Sequence, residues 1–97
     1  MADSYKIDQE RTVLRLVGEL DINARDDLRT AILAALDDGD VVLDFAGVTF
    51  LDSEALGSLI DGYNEARARG AGYRAINARG LVARVLTVSG AQELFGS

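Results

Sequence analysis

The side chains best placed for chemistry lie in one short polar segment, Asp52-Ser53-Glu54, which separates an apolar run from a helical pattern. The first backbone N–H groups of a helix have no partner within the helix, and the helix dipole favours negative charge at that end. An Asp or Ser side chain can accept hydrogen bonds from those groups, and a first-turn Glu gains about 0.3–1 kcal/mol from the dipole. The segment therefore predicts a helix N-terminus, with Asp52 and Ser53 as candidate N-caps.

The residues after this segment form two stripes at helical spacing. Five apolar side chains share one face, namely Leu56, Leu59, Ile60, Tyr63 and Ala66. The opposite face carries Glu54, Ser58, Asp61 and Glu65. Such a charged stripe is usually a solvated helix surface, and the alternative is a docking face for a protein partner. Gly57 and Gly62 interrupt this helix at a cost of about 1 kcal/mol each relative to Ala, which indicates either close packing or room for a partner.

Cysteine and histidine are both absent from the 97 residues. Their absence removes thiolate nucleophiles, Ser-His pairs and Cys/His zinc sites, so catalysis would have to rest on carboxylates, hydroxyls, arginines and the single Lys6. Asp44, Asp52 and Asp61 could in principle hold a hard cation, but they lack the spacing of a ligand loop. We therefore expect no enzyme activity, no catalytic residue, no metal site and no cofactor.

The charge balance limits the class of partner. Ten basic and sixteen acidic residues give a net charge of −6, and an acidic field repels nucleic-acid phosphates and anionic lipid surfaces. No apolar run reaches the roughly 20 residues of a membrane span, and the first residues lack the pattern of a secretion signal. We expect a cytoplasmic protein that binds another protein, without nucleic acid or direct membrane contact.

Periodicity predicts one α/β domain over residues 1–97, with the element order β-β-α-β-α-β-α. Two β-type runs at residues 5–9 and 11–17 predict a hairpin around Glu10. Strands separated by helices pair in parallel through right-handed crossovers, and the hairpin adds an antiparallel member. We expect a mixed, mostly parallel sheet with the helices packed over it.

Local signals predict where the remaining elements begin and end. Asn23 is the expected N-cap of the first helix, with Asp26 in the capping-box position. The apolar start of residues 41–45 predicts a central strand, and residues 46–49 predict a turn. After the second helix, we expect a stop at residues 70–72, a short strand at 73–76 and a helix from about 81 to 88.

These residues and their order resemble the STAS domain, and more narrowly the anti-sigma factor antagonists of bacteria. The resemblance covers about residues 5–95, and the order and spacing of its motifs carry the match. The motifs are Gly18-Glu19-Leu20-Asp21, Val42-Leu43-Asp44-Phe45, Val48-Thr49-Phe50-Leu51-Asp52-Ser53, Leu56-Gly57, Gly70 and Val88-Ser89-Gly90. The resemblance implies a single STAS domain with a regulatory function.

In the family that the chain resembles, an unmodified antagonist binds an anti-sigma factor that is also a serine kinase. The kinase inactivates the antagonist by phosphorylating a Ser or Thr directly after an Asp-Ser pair. Asp52 and Ser53 match that pair, so the phosphoacceptor position falls on Glu54, which has no hydroxyl. Its carboxylate carries about −1 against the −1.5 to −2 of phosphoserine, so we expect it to prevent or to mimic the modification. Ser53 is the weaker alternative acceptor, and Thr49 is a more distant one.

The resemblance also implies a partner surface on the turn and helix of residues 49–65. Its expected contacts are Asp21, Asp52, Ser53, Glu54, Ser58 and Asp61. The expected partner is an anti-sigma factor of the serine-kinase type or another regulatory protein. Two other functions stay open: a STAS subunit attached to a membrane transporter, as in bacterial lipid-transport ABC systems, and a scaffold component of a stress-signalling assembly.

Overall fold

The structure is a computed structural model that describes residues 4–10, 12–91 and 95. Four strands and three helices alternate in the predicted order β-β-α-β-α-β-α. Their bounds are β1 Tyr5–Glu10, β2 Val13–Leu20, α1 Arg25–Asp38, β3 Val41–Leu51, α2 Ser53–Arg69, β4 Tyr73–Ile76 and α3 Gly80–Val88. Within the described part of the chain, no helix is both long and apolar enough to cross a membrane.

The four strands form one sheet in the order β1-β2-β3-β4. The β1–β2 pair is antiparallel, as a short hairpin requires, and the β2–β3 and β3–β4 pairs are parallel. Parallel neighbours need crossover connections, and α1 and α2 supply them between β2, β3 and β4. The predicted fold class, a mixed and mostly parallel sheet with an antiparallel hairpin, is confirmed.

One face of the sheet is covered by the helices, and the other is open. Successive strand residues point to opposite faces, so the apolar residues Leu14, Leu16 and Leu20 of β2 are buried while Arg15 and Val17 are exposed. The core on the covered face is a single apolar cluster with contributions from all three helices. This one-sided packing explains why β2 alternates between apolar and mixed residues.

The central strand is longer than the sequence pattern predicts. The expected turn at residues 46–49 is wrong, because β3 continues through it to Leu51. The pairing with β2 shifts register twice there. Between Asp44 and Gly47, β3 advances by three residues while β2 advances by two. Between Val48 and Phe50, β3 advances by two residues while β2 advances by one. These irregularities are typical of β-bulges, which take Gly and break the alternation. The bulges therefore gave this strand segment the appearance of a turn.

The start of α1 also differs from its prediction. Asn23 is not the N-cap, because the cap position is occupied by Ala24, whose side chain makes no capping hydrogen bond. Asn23 lies instead in the turn before the helix, where its backbone N–H donates to Oδ1 of Asp21 at 2.9 Å. The Asp21 side chain therefore stabilises the turn that leads into α1, a role that local capping rules assign to a residue nearer the helix.

Candidate functional site

The turn between β3 and α2 is held by Asp52. Its backbone is extended, and its Oδ1 accepts hydrogen bonds from the backbone N–H groups of Glu54 and Ala55, both at 3.0 Å. Its own N–H donates to the carbonyl of Leu20 at 3.0 Å, which fixes the start of α2 beside the end of β2. The prediction of an N-cap at Asp52 is confirmed. The alternative prediction, that Ser53 is the N-cap, is wrong, because Ser53 is the first residue of the helix and is exposed.

The carboxylate of Glu54 is engaged by a cation from the neighbouring helix. Nη1 of Arg25, the first residue of α1, donates to Oε1 of Glu54 at 2.9 Å. Nε of the same arginine donates to Oδ1 of Asp26 at 3.3 Å. The hydrogen bonds to Glu54 and then to Asp26 raise the pKa of Arg25 above its usual value, so the guanidinium is cationic throughout the working pH range. Both side chains of the Arg25–Glu54 pair are nearly half exposed, so solvent screens it and it adds little to stability.

The buried position of Ser58 contradicts the predicted exposed stripe. Ser58 is 3% exposed, and its Oγ donates to the backbone carbonyl of Arg25 at 2.8 Å. Ser58 is buried because α2 is covered on two sides, by the apolar core and by α1. The helical pattern predicted only one buried face for this helix. Ser58 is therefore an internal contact between α1 and α2, although it also borders the cleft described below.

The acidic residues of the stripe are paired with arginines. Asp61 accepts from Nη1 of Arg29 at 3.0 Å, across the α1–α2 contact. Glu65 pairs with Arg69 one turn along α2, and Arg69 also reaches Asp37 at the end of α1. Each acid of the predicted stripe therefore has an arginine beside it, so the stripe carries less net charge than its own residues indicate. The sequence could have indicated these pairs, because Arg25 and Arg29 are four residues apart and so share one face of α1. That face meets the acids of α2.

A cleft lies between the first turns of α1 and α2. Its volume is about 200 Å³, and its lining residues are Arg25, Asp26, Arg29, Ser53, Glu54, Gly57, Ser58 and Asp61. Gly57 opens the cleft, because a Cβ built on it would meet no atom within 4 Å. Gly62 has the other role, because a Cβ there would come within 2.5 Å of Tyr73 Oη and 2.6 Å of Ile32 Cγ2. Gly57 thus leaves room at the surface, and Gly62 is required by internal packing.

The cleft brings together four of the six predicted contacts. Ser53, Glu54, Ser58 and Asp61 line it. Asp52 and Asp21 lie beside it, as the cap of α2 and as a side-chain acceptor in the turn before α1. Thr49 is an exposed β3 residue and does not line the cleft.

Two exposed apolar residues close in sequence to the cleft-lining segments were not predicted from the sequence. Ile22, in the turn before α1, is 53% exposed, and Phe50, next to the end of β3, is 39% exposed. Phe50 is the residue before the end of β3, and Ile22 is the second residue after the end of β2, the parallel strand that pairs with β3. Single exposed apolar residues are common on protein surfaces, and they become part of an interaction surface only beside other contacts. The alternation pattern alone does not show which residues face solvent at an irregular strand.

The described residues contain no group of three or more carboxylates arranged to hold a metal ion. Asp44 is instead satisfied locally: its Oδ1 accepts from the backbone N–H of Ala46 and from Nδ2 of Asn77, both at 3.0 Å. These hydrogen bonds, the Ala46 one first, lower the pKa of Asp44 below its usual value. Asp44 therefore stabilises the bulge in β3 as an ionised acceptor.

Comparisons with known proteins agree with this architecture. The family model described as "Mlab, STAS domain" matches residues 4–96. The structure of the anti-sigma factor antagonist SpoIIAA in its unphosphorylated form matches with a TM-score of 0.67 and 20% identity, over 86% of this chain and 81% of that one. The Bacillus cell fate determinant SpoIIAA in its phosphorylated form matches with a TM-score of 0.64 and 23% identity, over 95% and 85%. At these identities the similarity is one of fold. No curated protein sequence matches the chain.

Proposed function

We propose that this chain, which belongs to the STAS domain family, is a non-enzymatic regulatory domain of the anti-sigma factor antagonist type. It binds a protein partner through the start of α2, the turn before it and the adjoining cleft. The observation that carries this proposal is the cleft at the Asp52 turn, where exposed Ser53 and Glu54 surround the open backbone of Gly57. An open glycine lets a partner approach the backbone closely.

The partner that fits this surface has a mixed apolar and charged face. Ile22 and Phe50 offer apolar contact beside the turn, and the cleft offers alternating arginines and carboxylates. Apolar anchors surrounded by polar contacts are the usual composition of a protein interface. The net charge of −6 disfavours nucleic acid and anionic membranes. We propose an anti-sigma factor of the serine-kinase type as the partner, acting in the cytoplasm.

Glu54 has no hydroxyl that a kinase could phosphorylate. We propose that it either prevents phosphorylation outright or imitates the modified state through its fixed charge. Ser53 offers an exposed hydroxyl one residue earlier, but it lies between the carboxylates of Asp52 and Glu54. Like-charge repulsion opposes a phosphate at that place, so Ser53 is the weaker acceptor. The domain would then bind its partner without the usual switch.

Two observations support a function without catalysis. The sequence has no histidine or cysteine to act as a general base or thiolate. The charged groups nearest the cleft form hydrogen-bonded pairs with one another, Arg25 with Glu54 and Arg29 with Asp61. A catalytic acid or base has to exchange a proton with a substrate, which these paired groups are poorly arranged to do.

A second candidate function is the STAS subunit of a membrane transport complex. It is supported by the family match, which is to the model described as "Mlab, STAS domain". A residue that cannot be phosphorylated also suits a partner that is not a kinase. In this case the same turn and cleft would dock on a transporter subunit.

Affinity capture from the native host tests the proposal. The immobilised chain is compared with Asp61→Lys, which reverses a charge at the cleft, and with Asp38→Lys, a matched reversal at the exposed end of α1. Wild type and Asp38→Lys should retain the same partner, and Asp61→Lys should lose it while remaining folded by circular dichroism. An anti-sigma factor among the retained proteins supports the first function, and a permease with its ATPase supports the second. Equal retention by Asp61→Lys contradicts a partner site at the cleft.

A further inference from the structure

We propose that Arg25 keeps this domain competent to bind its partner although an acid occupies the phosphoacceptor position. Arg25 and Glu54 act as one unit without net charge, so Glu54 prevents modification and does not imitate it. This inference rests on the proposed function and concerns the regulation of the same site. It assigns Arg25 the role of a positioning residue for the Glu54 carboxylate.

Charge arithmetic supports a neutral unit. Arg25 contributes +1 and Glu54 contributes −1, and Nη1 and Oε1 are 2.9 Å apart. Opposite charges at this separation leave only a dipole, whose field is screened within about 10 Å at ordinary ionic strength. A phosphoserine at the same place would carry about −1.5 to −2 and would leave about −0.5 to −1 after pairing with one arginine. The two states therefore differ at the partner surface even though both carry an acid.

The guanidinium can serve Glu54 without abandoning its other acidic neighbour. Arg25 uses Nη1 for Glu54 and Nε for Asp26, and an arginine has five N–H donors in a fixed planar arrangement. Asp26 lies on α1 and is 87% exposed, so it contributes the same charge whatever residue occupies position 54. The charge that a partner meets at the start of α2 therefore depends on the Glu54 carboxylate and on the Arg25 guanidinium paired with it.

The backbone of Arg25 is fixed independently of its side chain. The buried Ser58 hydroxyl donates to the Arg25 carbonyl at 2.8 Å, and this contact does not involve the guanidinium. The side chain thus starts from a fixed point beside the first turn of α2. A screened ion pair contributes little energy by itself, but here the backbone is held at both residues, by Ser58 at Arg25 and by Asp52 at Glu54. Removing the guanidinium should expose Glu54 without displacing the helix.

The test measures binding of the purified partner recovered by the wild-type chain, by isothermal titration calorimetry at low and high salt. The variants are Arg25→Gln, Glu54→Gln and the double variant, and Arg74→Gln is the matched control. Arg74 is an exposed arginine on β4, away from the cleft, and has no ion pair with any described residue. Circular dichroism checks that each variant is folded.

A neutral pair predicts a specific pattern of affinities. Arg25→Gln should weaken binding about tenfold at low salt and less at high salt, because an unpaired carboxylate then faces the partner. Glu54→Gln should bind no tighter than wild type, and the double variant should recover most of the affinity lost in Arg25→Gln. A merely structural role of Arg25 would give no such recovery. Arg74→Gln should bind as wild type does.

The opposing outcomes separate the two claims. If Glu54→Gln binds tenfold or more tightly than wild type, Glu54 imitates phosphorylation and the inference is wrong while the proposed function stands. If the double variant binds as weakly as Arg25→Gln, the two residues do not form a unit and the inference also fails. If the wild-type chain retains no partner at all, the proposed function itself is contradicted.

Discussion

The buried hydroxyl of Ser58 donates to the backbone carbonyl of Arg25 at 2.8 Å, although the two residues are 33 positions apart in the chain. This contact ties the beginning of α1 to the second turn of α2. Together with Asp52, whose N–H bonds to Leu20 and whose carboxylate caps α2, it holds both sides of the cleft in one arrangement. The proposed partner surface is therefore built from two chain segments that are fixed to each other.

Removing the Ser58 hydroxyl should destabilise the fold. Ser58→Ala deletes a buried hydrogen bond, and the expected loss in the free energy of unfolding is about 0.5–1.5 kcal/mol. Ser53→Ala is the matched control, because Ser53 is exposed on the same helix and should change stability by less than about 0.5 kcal/mol. Urea denaturation of both variants measures the difference. Equal stability of the two variants would mean that the Ser58 contact does not hold the helices together.

The two glycines inside α2 should respond to alanine with opposite signs. Gly62→Ala places a Cβ against Tyr73 and Ile32, and overpacking of this kind costs about 1–3 kcal/mol. Gly57→Ala meets no atom within 4 Å, so the gain in helix propensity should stabilise the fold by up to about 1 kcal/mol. Thermal unfolding of the two variants checks the signs. A stabilised Gly62→Ala would contradict the packing described here.

The Tyr73 hydroxyl should make stability fall at alkaline pH. Burial, with a smaller contribution from the charge of Asp61, raises the pKa of Tyr73 well above the value of about 10 for an unfolded chain. The unfolded state therefore loses this proton first, so the contribution is intact below pH 10 and declines above it. The slope from this group is about 1.4 kcal/mol per pH unit.

Tyr73→Phe separates this effect from other alkaline changes. The variant keeps the ring that packs edge-on against Phe95, and it loses the hydroxyl that donates to the carbonyl of Leu59 at 2.7 Å. At pH 7 it should be less stable by about 1 kcal/mol, and above pH 10 its stability should fall less steeply than that of wild type. Parallel pH profiles of the two proteins would show that Tyr73 does not titrate with unfolding.

The sequence predicted those parts of the fold that local periodicity specifies. The strand Tyr73–Ile76 and the cap at Asp52 were found in their places, because alternation and helix capping depend on neighbouring residues. The segment of β3 after Phe45 was not found, because two bulges interrupt its alternation and only pairing with β2 keeps it extended. At α1 the predicted cap was Asn23, but the turn before the helix is stabilised by Asp21 instead.

The candidate site was predicted only in part, for a related reason. The turn at Asp52 and the residues of α2 could be identified from the chain itself. Their partners on α1, Arg25 and Arg29, lie 29 and 32 residues away from Glu54 and Asp61 and meet them only after folding. Periodicity along α2 alone placed Ser58 and the acids on a solvent-facing stripe. Glu54 and Asp61 are indeed exposed, whereas α1 covers Ser58 and supplies the arginines that pair with the two acids.

The location of the partner surface can be read out residue by residue with amide chemical-shift mapping. The recovered partner is titrated into ¹⁵N-labelled protein. Shift changes and broadening should concentrate at Ile22, Ser53, Glu54 and Gly57, in the turn before α1 and at the start of α2. The open sheet face, represented by Arg15 and Arg74, should change little. Changes confined to the sheet face or to α3, with Ser53 and Gly57 unaffected, would contradict this location of the partner surface.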